Sequence, residues 1–216
     1  MPEVPGVLDP YFSPPASLPF PAGESPFRQK GSAWLGDLDY LAEVVPGGIP
    51  ALLASLDPAL KAFVASPFRA SDWYDVFPNP LMMLAAPRLR RVSFIEHQQD
   101  VGRWHAKRGF GGIYRALLRF VSNQNVALWG PRISALYHEF GRFETQVAGP
   151  NEVRGVRRGV PRGLVQWLSV TSAAFSEEAL CLAGARASKV EFTAVTEVGN
   201  QAGQAMFDLD VVITWT

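Results

Sequence analysis

Met206-Phe207-Asp208-Leu209-Asp210-Val211-Val212-Ile213-Thr214-Trp215 is the stretch on which the fold turns. Phe207, Leu209, Val211, Ile213 and Trp215 fall on one side of a two-residue repeat, and Met206, Asp208, Asp210, Val212 and Thr214 on the other. Alternation of this kind marks a strand with one packed face and one wet face. Just upstream, residues 199–203 read as a loop, and Val190, Phe192 and Ala194 form one face of the preceding strand. Phe143, Thr145 and Val147 alternate as well, Gly149-Pro150-Asn151 marks a turn, and a strand over about residues 152–160 completes an earlier hairpin. Between the hairpins Pro161 opens a helix carrying Leu164, Trp167, Leu168, Thr171, Ala174 and Phe175, and Ser176 restarts a short helix through Leu182. Both hairpins are local, so the order strand-strand-helix-strand-strand predicts a four-stranded antiparallel sheet crossed by that helix.

Residues 31–141 carry a helical pattern cut repeatedly by Pro and Gly. Leu35, Leu38, Ala42 and Val45 share a face that Gly47-Gly48 ends, and Asp57-Pro58 caps and starts a later helix. Ser71 is read as the cap of a helix through Trp73 and Phe77, and Asn79-Pro80 restarts the chain into Leu81-Met82-Met83-Leu84. Ser93 and Glu96 have capping-box spacing. Gly111-Gly112 precedes a helix with Ile113, Leu117, Phe120 and Val121 on one face, and Pro131 opens another with Ile133, Leu136, Tyr137 and Phe140. The fold class is therefore α+β: a cluster of short helices (31–141) packed on a sheet (142–216) within one domain, 31–216. Residues 1–30 hold eight prolines within their first 26 positions. Proline fixes φ and removes donors, so this segment reads as an extended or disordered tail, with Tyr11, Phe12, Leu18, Phe20 and Phe27 able to lie along a groove.

With 20 basic and 20 acidic residues among 216, the chain has no net field to recruit nucleic acid or acidic membranes. The single Cys181 cannot form an internal disulfide. No secretory leader and no membrane span is expected, and the expected location is cytoplasmic.

Several stretches resemble a large myxobacterial paralogous family of uncharacterised domains. They are Lys30-Gly31-Ser32-Ala33, Leu38-Asp39-Tyr40, Ser71-Asp72-Trp73-Tyr74 and Gly112-Ile113-Tyr114-Arg115-Ala116-Leu117-Leu118, then Tyr137-His138-Glu139-Phe140-Gly141, Ala179-Leu180-Cys181-Leu182-Ala183-Gly184-Ala185 and the closing Ile213-Thr214-Trp215. That fold is distantly similar to vinyl-reductase-type and haem-nitric-oxide-binding domains and to trafficking-particle subunits. The resemblance implies a helical cluster on an antiparallel sheet, enclosing a pocket that in such folds holds an apolar ligand or a tetrapyrrole. Related domains place cysteines near the last strand, where this chain has Val198, Gly199, Ala205 and Met206, none of which binds zinc. The tyrosine-serine-arginine signature of the haem binders is also missing.

Trp73, Tyr74, Phe77, Met82 and Met83 are candidate ligand contacts, since a run of large adaptable apolar side chains can line a pocket. A helix-face core explains the same run. Arg154, Arg157, Arg158 and Arg162 form the densest charge cluster, a candidate anion or partner contact, with Arg157 on the opposite strand face from Arg154 and Arg158. A solvated, charged sheet edge is the plainer account. His97 and His105, eight residues apart on one helix, lie about 80° out of register and cannot readily share an ion. His138 reads as a histidine satisfied by a local partner. The expectation is thus no metal, no haem or other cofactor and no catalytic set. It favours a non-catalytic ligand-binding or sensory domain with an apolar pocket between helices and sheet. The alternative is a protein-interaction or self-association module using the proline-rich tail or a helical face.

Overall fold

The closing strand, β6 (Gln204–Trp215), pairs antiparallel with strands on both sides, so it lies inside the sheet. Leu209, Val211, Ile213 and Trp215 are buried while Asp210 is exposed, as the alternation requires. The computed structural model describes residues 6–110 and 121–216, and the elements run as follows. A short strand β1 (Arg28–Lys30) leads into α1 (Gly31–Val44), α2 (Gly48–Ser55) and α3 (Pro58–Val64). Strand β2 (Trp73–Asp75) pairs with β1, and α4 (Pro78–Arg90) and α5 (Phe94–Gly109) follow. After α6 (Asn123–Leu128) and α7 (Gly130–Tyr137) come β3 (Arg142–Gly149), β4 (Glu152–Pro161), α8 (Val165–Leu182), β5 (Ser188–Gln201) and β6. The four-stranded sheet has the order β3-β4-β6-β5, every pair antiparallel. This is the α+β architecture expected from the two local hairpins. The helix expected over residues 112–121 falls almost wholly outside the described residues.

Local chemistry explains many boundaries. Asp57 Oδ1 accepts from the amides of Ala59 and Leu60, and Ser93 Oγ accepts from the Glu96 amide at the start of α5. The β5–β6 turn places Ala202 (φ 51°) and Gly203 (φ 79°) both in the left-handed region, the geometry of a tight two-residue hairpin. Strand β5 therefore continues to Gln201 where a loop was expected. One helix, α8, also runs unbroken through Ser176, because an interior serine ends a helix only when its side chain competes for the backbone. The close approach of α5 to α8 depends on Gly102, where a Cβ would collide with the Thr171 carbonyl oxygen.

Two expectations in the helical half are corrected. Trp73-Tyr74-Asp75 is a strand, not a helix, because Lys30, Gln29 and Arg28 pair with it residue for residue. Helix α1 buries Trp34, Asp37, Tyr40 and Leu41, whereas Leu35 is exposed.

The proline-rich segment packs on the body. Phe12 and Phe27 are fully buried, with Phe12 edge-on to Phe207 and Phe27 against Phe77. Asp75, itself fully buried, accepts from the amides of Gly23 and Ser25 through Oδ2 and from the Phe77 amide through Oδ1. Gln166 on α8 donates to the Leu8 carbonyl, and the Arg162 guanidinium lies 5.1 Å from the Tyr11 ring centroid. Prolines leave no α-helix here among the described residues, only a 3₁₀ turn at Pro10–Phe12, and the aromatic side chains are free to fill the core. No described helix is long and apolar enough to cross a membrane.

Candidate functional site

A cavity of about 460 Å³ lies between the helical cluster and the sheet, walled by α1, α5, α6, α7, α8, β3 and β4. That volume suits a cofactor-sized or drug-sized molecule. Most of its wall is apolar, with Val101, Ala127, Phe143, Trp167, Leu168 and Phe175 contributing. Polar side chains such as Arg108, Thr171 and Ser172 also line it, and two of its polar residues are the centres of hydrogen-bond networks.

The first is Arg157 on β4. A bulge between Arg157 and Val160 turns both residues inward, and the Asp208 carboxylate holds it by accepting from the Gly159 amide at 2.9 Å. Arg157 is only 5% exposed, and burial lowers its guanidinium to a pKa of about 10. Its Nη2 donates to Ser134 Oγ at 2.8 Å and to His138 Nδ1 at 3.4 Å. No carboxylate pairs with it among the described residues, and residues 111–120 contain no Asp or Glu. Arginine can only donate, so the neutral His138 ring carries its proton on Nε2. Burial and then the Arg157 charge push His138 well below its usual value. Arg157 Nε and His138 Nε2 are both buried donors without an acceptor among the described residues. Buried donors left unmet are costly, so a cationic corner with two of them matches an anionic group.

The second is His105 on α5. Its Nε2 donates to Asp37 Oδ1 at 2.7 Å, and Asp37 Oδ2 accepts from Asn79 Nδ2 at 2.6 Å. The same Asn79 amide donates to Gln29 Oε1 at 2.9 Å. Asp37, Asn79 and Gln29 are all buried. His105, Asp37 and Gln29 line the cavity.

His97 is turned away from this space and belongs to a separate cluster. Arg90 Nη1 donates to His97 Nδ1 at 2.7 Å and to the Tyr40 hydroxyl at 2.9 Å, while Nη2 meets Asp100 at 2.9 Å. Burial first, and the Arg90 charge second, lower His97 to about 4. A histidine so depressed supports the fold fully above its unfolded pKa of about 6.5 and loses that support as pH falls toward 4. The difference corresponds to about 3 kcal/mol. Thermal melts of the wild type should therefore lose stability between pH 6.5 and 4, and His97→Gln should flatten the profile over that window. An unchanged slope in the variant would contradict the assignment.

The remaining residues singled out from sequence fall elsewhere. Phe77, Met82 and Met83 are fully buried in the main core, Trp73 and Tyr74 sit on β2, and none of the five lines the cavity. The apolar run packs the helical layer, which is why it does not face the open space. Arg154 and Arg158 face out from the sheet and are ion-paired, Arg154 with Glu152 and Arg158 with Glu144 and Asp208. Arg162 stacks on Tyr11. Of the four arginines, only Arg157 reaches the cavity. Asp37 was not marked by any motif; a carboxylate inside the apolar face of α1 is the signal that could have revealed it.

No family model and no curated protein matches the chain. Solved structures do match in fold. One, from work on haem distortion in the H-NOX family, is 12% identical over 87% of this chain and 95% of its own, with a TM-score of 0.60. An Fe(II) unliganded H-NOX protein from K. algicida is 12% identical over 87% and 96%, with a TM-score of 0.54. An oxygen-binding H-NOX domain related to soluble guanylate cyclases, in its oxygen complex, is 14% identical over 85% and 92%, with a TM-score of 0.55. The expectation of no cofactor is corrected by these matches, because the fold is shared with a haem-bearing family. The cavity has features that suit such a group: a largely apolar wall, an anion-seeking arginine and a histidine oriented by a carboxylate. At this level of identity the likeness is one of fold: the chain has an H-NOX-like architecture.

Proposed function

We propose that the protein is a non-catalytic sensory domain whose cavity takes up an apolar, carboxylate-bearing ligand of the haem class. The observation that carries this is Arg157, a buried guanidinium with no carboxylate partner among the described residues, in the wall of a largely apolar cavity. A buried, unpaired cation costs several kcal/mol unless something meets it. An incoming carboxylate supplies the missing charge and accepts from the donors of Arg157 and His138. Phe143, Trp167 and Phe175 exclude water from the rest of the ligand, and burial of their surface against it contributes about 25 cal/mol per Å². When bound, haem would supply an iron centre able to take a small gas molecule. The fold likeness to an oxygen-binding domain supports that assignment.

Titration of the purified protein with haemin tests the proposal. Saturable one-to-one binding with a shifted Soret band is expected. Haemin that stays in the free or aggregated form at all protein concentrations would contradict it.

A further inference from the structure

Helix α7 stands between the cavity and solvent. Ile133, Ser134, Leu136 and Tyr137 line the cavity, yet Leu136 is 64% exposed and Tyr137 38%. Alone among the described helices it has no buried residue, so packing of an apolar face gives it little hold on the body. Its start is fixed by Gly130, which lies so close to the Phe143 ring that a Cβ would stand 2.6 Å from Cε1. Hydrogen bonds fix its end. His138, the residue that caps the helix, bridges to Gln29 on β1, and the Glu139 amide donates to the Arg28 carbonyl at 3.1 Å. From the sheet, Arg157 Nη2 is divided between Ser134 and His138. Neither contact engages Arg157 Nε, and His138 Nε2 is unmet as well. One of the two unmet donors thus belongs to β4 and the other to the end of α7. Both atoms are out of reach of solvent, so this corner has to open before a carboxylate meets them. Helix α7, with no buried residue, is the wall that gives most readily.

We infer that α7 is a cover closed by the ligand itself: a carboxylate that accepts from Arg157 Nε on β4 and from His138 Nε2 at the end of α7 ties the helix down to the sheet. The inference rests on the ligand-binding function proposed above and gives that site an output. Without a carboxylate, the side-chain link between the two elements is one bond of good length, Arg157 to Ser134 at 2.8 Å, and a long one to His138 at 3.4 Å. With it, both unmet donors join the same link. A hydrogen bond to a charged group is strong enough to shift a local open–closed equilibrium by about tenfold or more. Differential binding of this kind is what lets a ligand change a conformation. The surface that changes is the exposed side of α7, with Arg132, Leu136 and Tyr137.

Trypsin reads the cover directly, because Arg132 is exposed on α7 and the bond after it is cut only when the helix opens. Cleavage after Arg132 in the full chain is followed by mass spectrometry. Cleavage after Lys61 on α3, a helix that does not wall the cavity, is the reference. Binding of protoporphyrin IX is followed by fluorescence in the same samples. At saturating protoporphyrin IX, cleavage after Arg132 should slow by about tenfold or more relative to cleavage after Lys61. The reference separates closure of α7 from general stabilisation by a ligand, which slows both cuts. His138→Phe keeps a ring beside Phe140 and Trp167 but has no N–H to donate, so the selective slowing should disappear at saturating protoporphyrin. Hydrogen exchange in the wild type, where the amides of α7 should gain the same selective protection, gives the comparison without a variant. If protoporphyrin binds and the two cuts slow equally, or neither slows, or His138→Phe keeps the selective slowing, the cover is overturned while the ligand-binding function stands. If the wild type does not bind protoporphyrin, both are overturned.

Discussion

Replacing Arg157 by methionine is expected to raise the melting temperature of the ligand-free protein while removing its affinity for carboxylate-bearing ligands. The two effects share one cause. Burial lowers the Arg157 pKa to about 10, well below the ordinary arginine value, so at neutral pH the charged side chain costs the fold on the order of 3 kcal/mol. The sign follows from a base depressed in the folded state: the cost is present below pH 10 and disappears as pH rises from there toward the ordinary arginine value. Substituting well-packed hydrophobic residues for buried charges commonly stabilises by about 1–4 kcal/mol. In a chain of this size each kcal/mol moves the melting temperature by roughly 2–4 °C, so a rise of about 5 °C is expected. Losing the buried charge should also weaken anion binding by at least about thirtyfold, the lower bound for truncating one partner of a buried charge pair. A variant that is less stable and binds as the wild type does would show Arg157 to be structural.

Removing residues 1–26 is expected to unfold the protein. Phe12 is lost from a fully buried site, and large aromatic deletions in cores cost about 3–5 kcal/mol. The same cut strips Asp75 of the Gly23 and Ser25 amides, leaving a buried carboxylate short of two donors, at about 1–3 kcal/mol each. Together these rival the roughly 5–15 kcal/mol that keeps a domain folded. Circular dichroism and thermal melts of the truncated chain decide it. A cooperative transition at the wild-type temperature would show the segment to be dispensable.

The sheet was legible because each of its strands pairs with a near neighbour or carries a strict alternation. Phe207 to Trp215 announced both burial and face, and Arg157 could be placed opposite Arg154 and Arg158 by parity alone. What parity could not show was the neutral wall around Arg157, since its partners Ser134 and His138 lie 23 and 19 residues away. Trp73-Tyr74-Asp75 resembled a capped helix start because its strand partner, β1, lies far upstream in the chain. Asp37 was hidden for the same reason: Asn79 and His105, which make its burial tolerable, stand 42 and 68 residues away. Leu35 looked like core by spacing, yet the face of α1 shifted to bring Asp37 inward beside Trp34, Tyr40 and Leu41. The aromatic and methionine run was core, and the cavity is walled by residues whose sequence pattern is ordinary.

The most direct measurement compares protoporphyrin IX with its dimethyl ester by fluorescence titration of the wild-type protein. The ester keeps the ring and its apolar surface but has no carboxylate to meet Arg157. Tight saturable binding of the acid, with the ester weaker by at least about thirtyfold, is the predicted result. Equal affinity for the two, or no saturable binding of either, would contradict a cavity built around a buried, unpaired arginine.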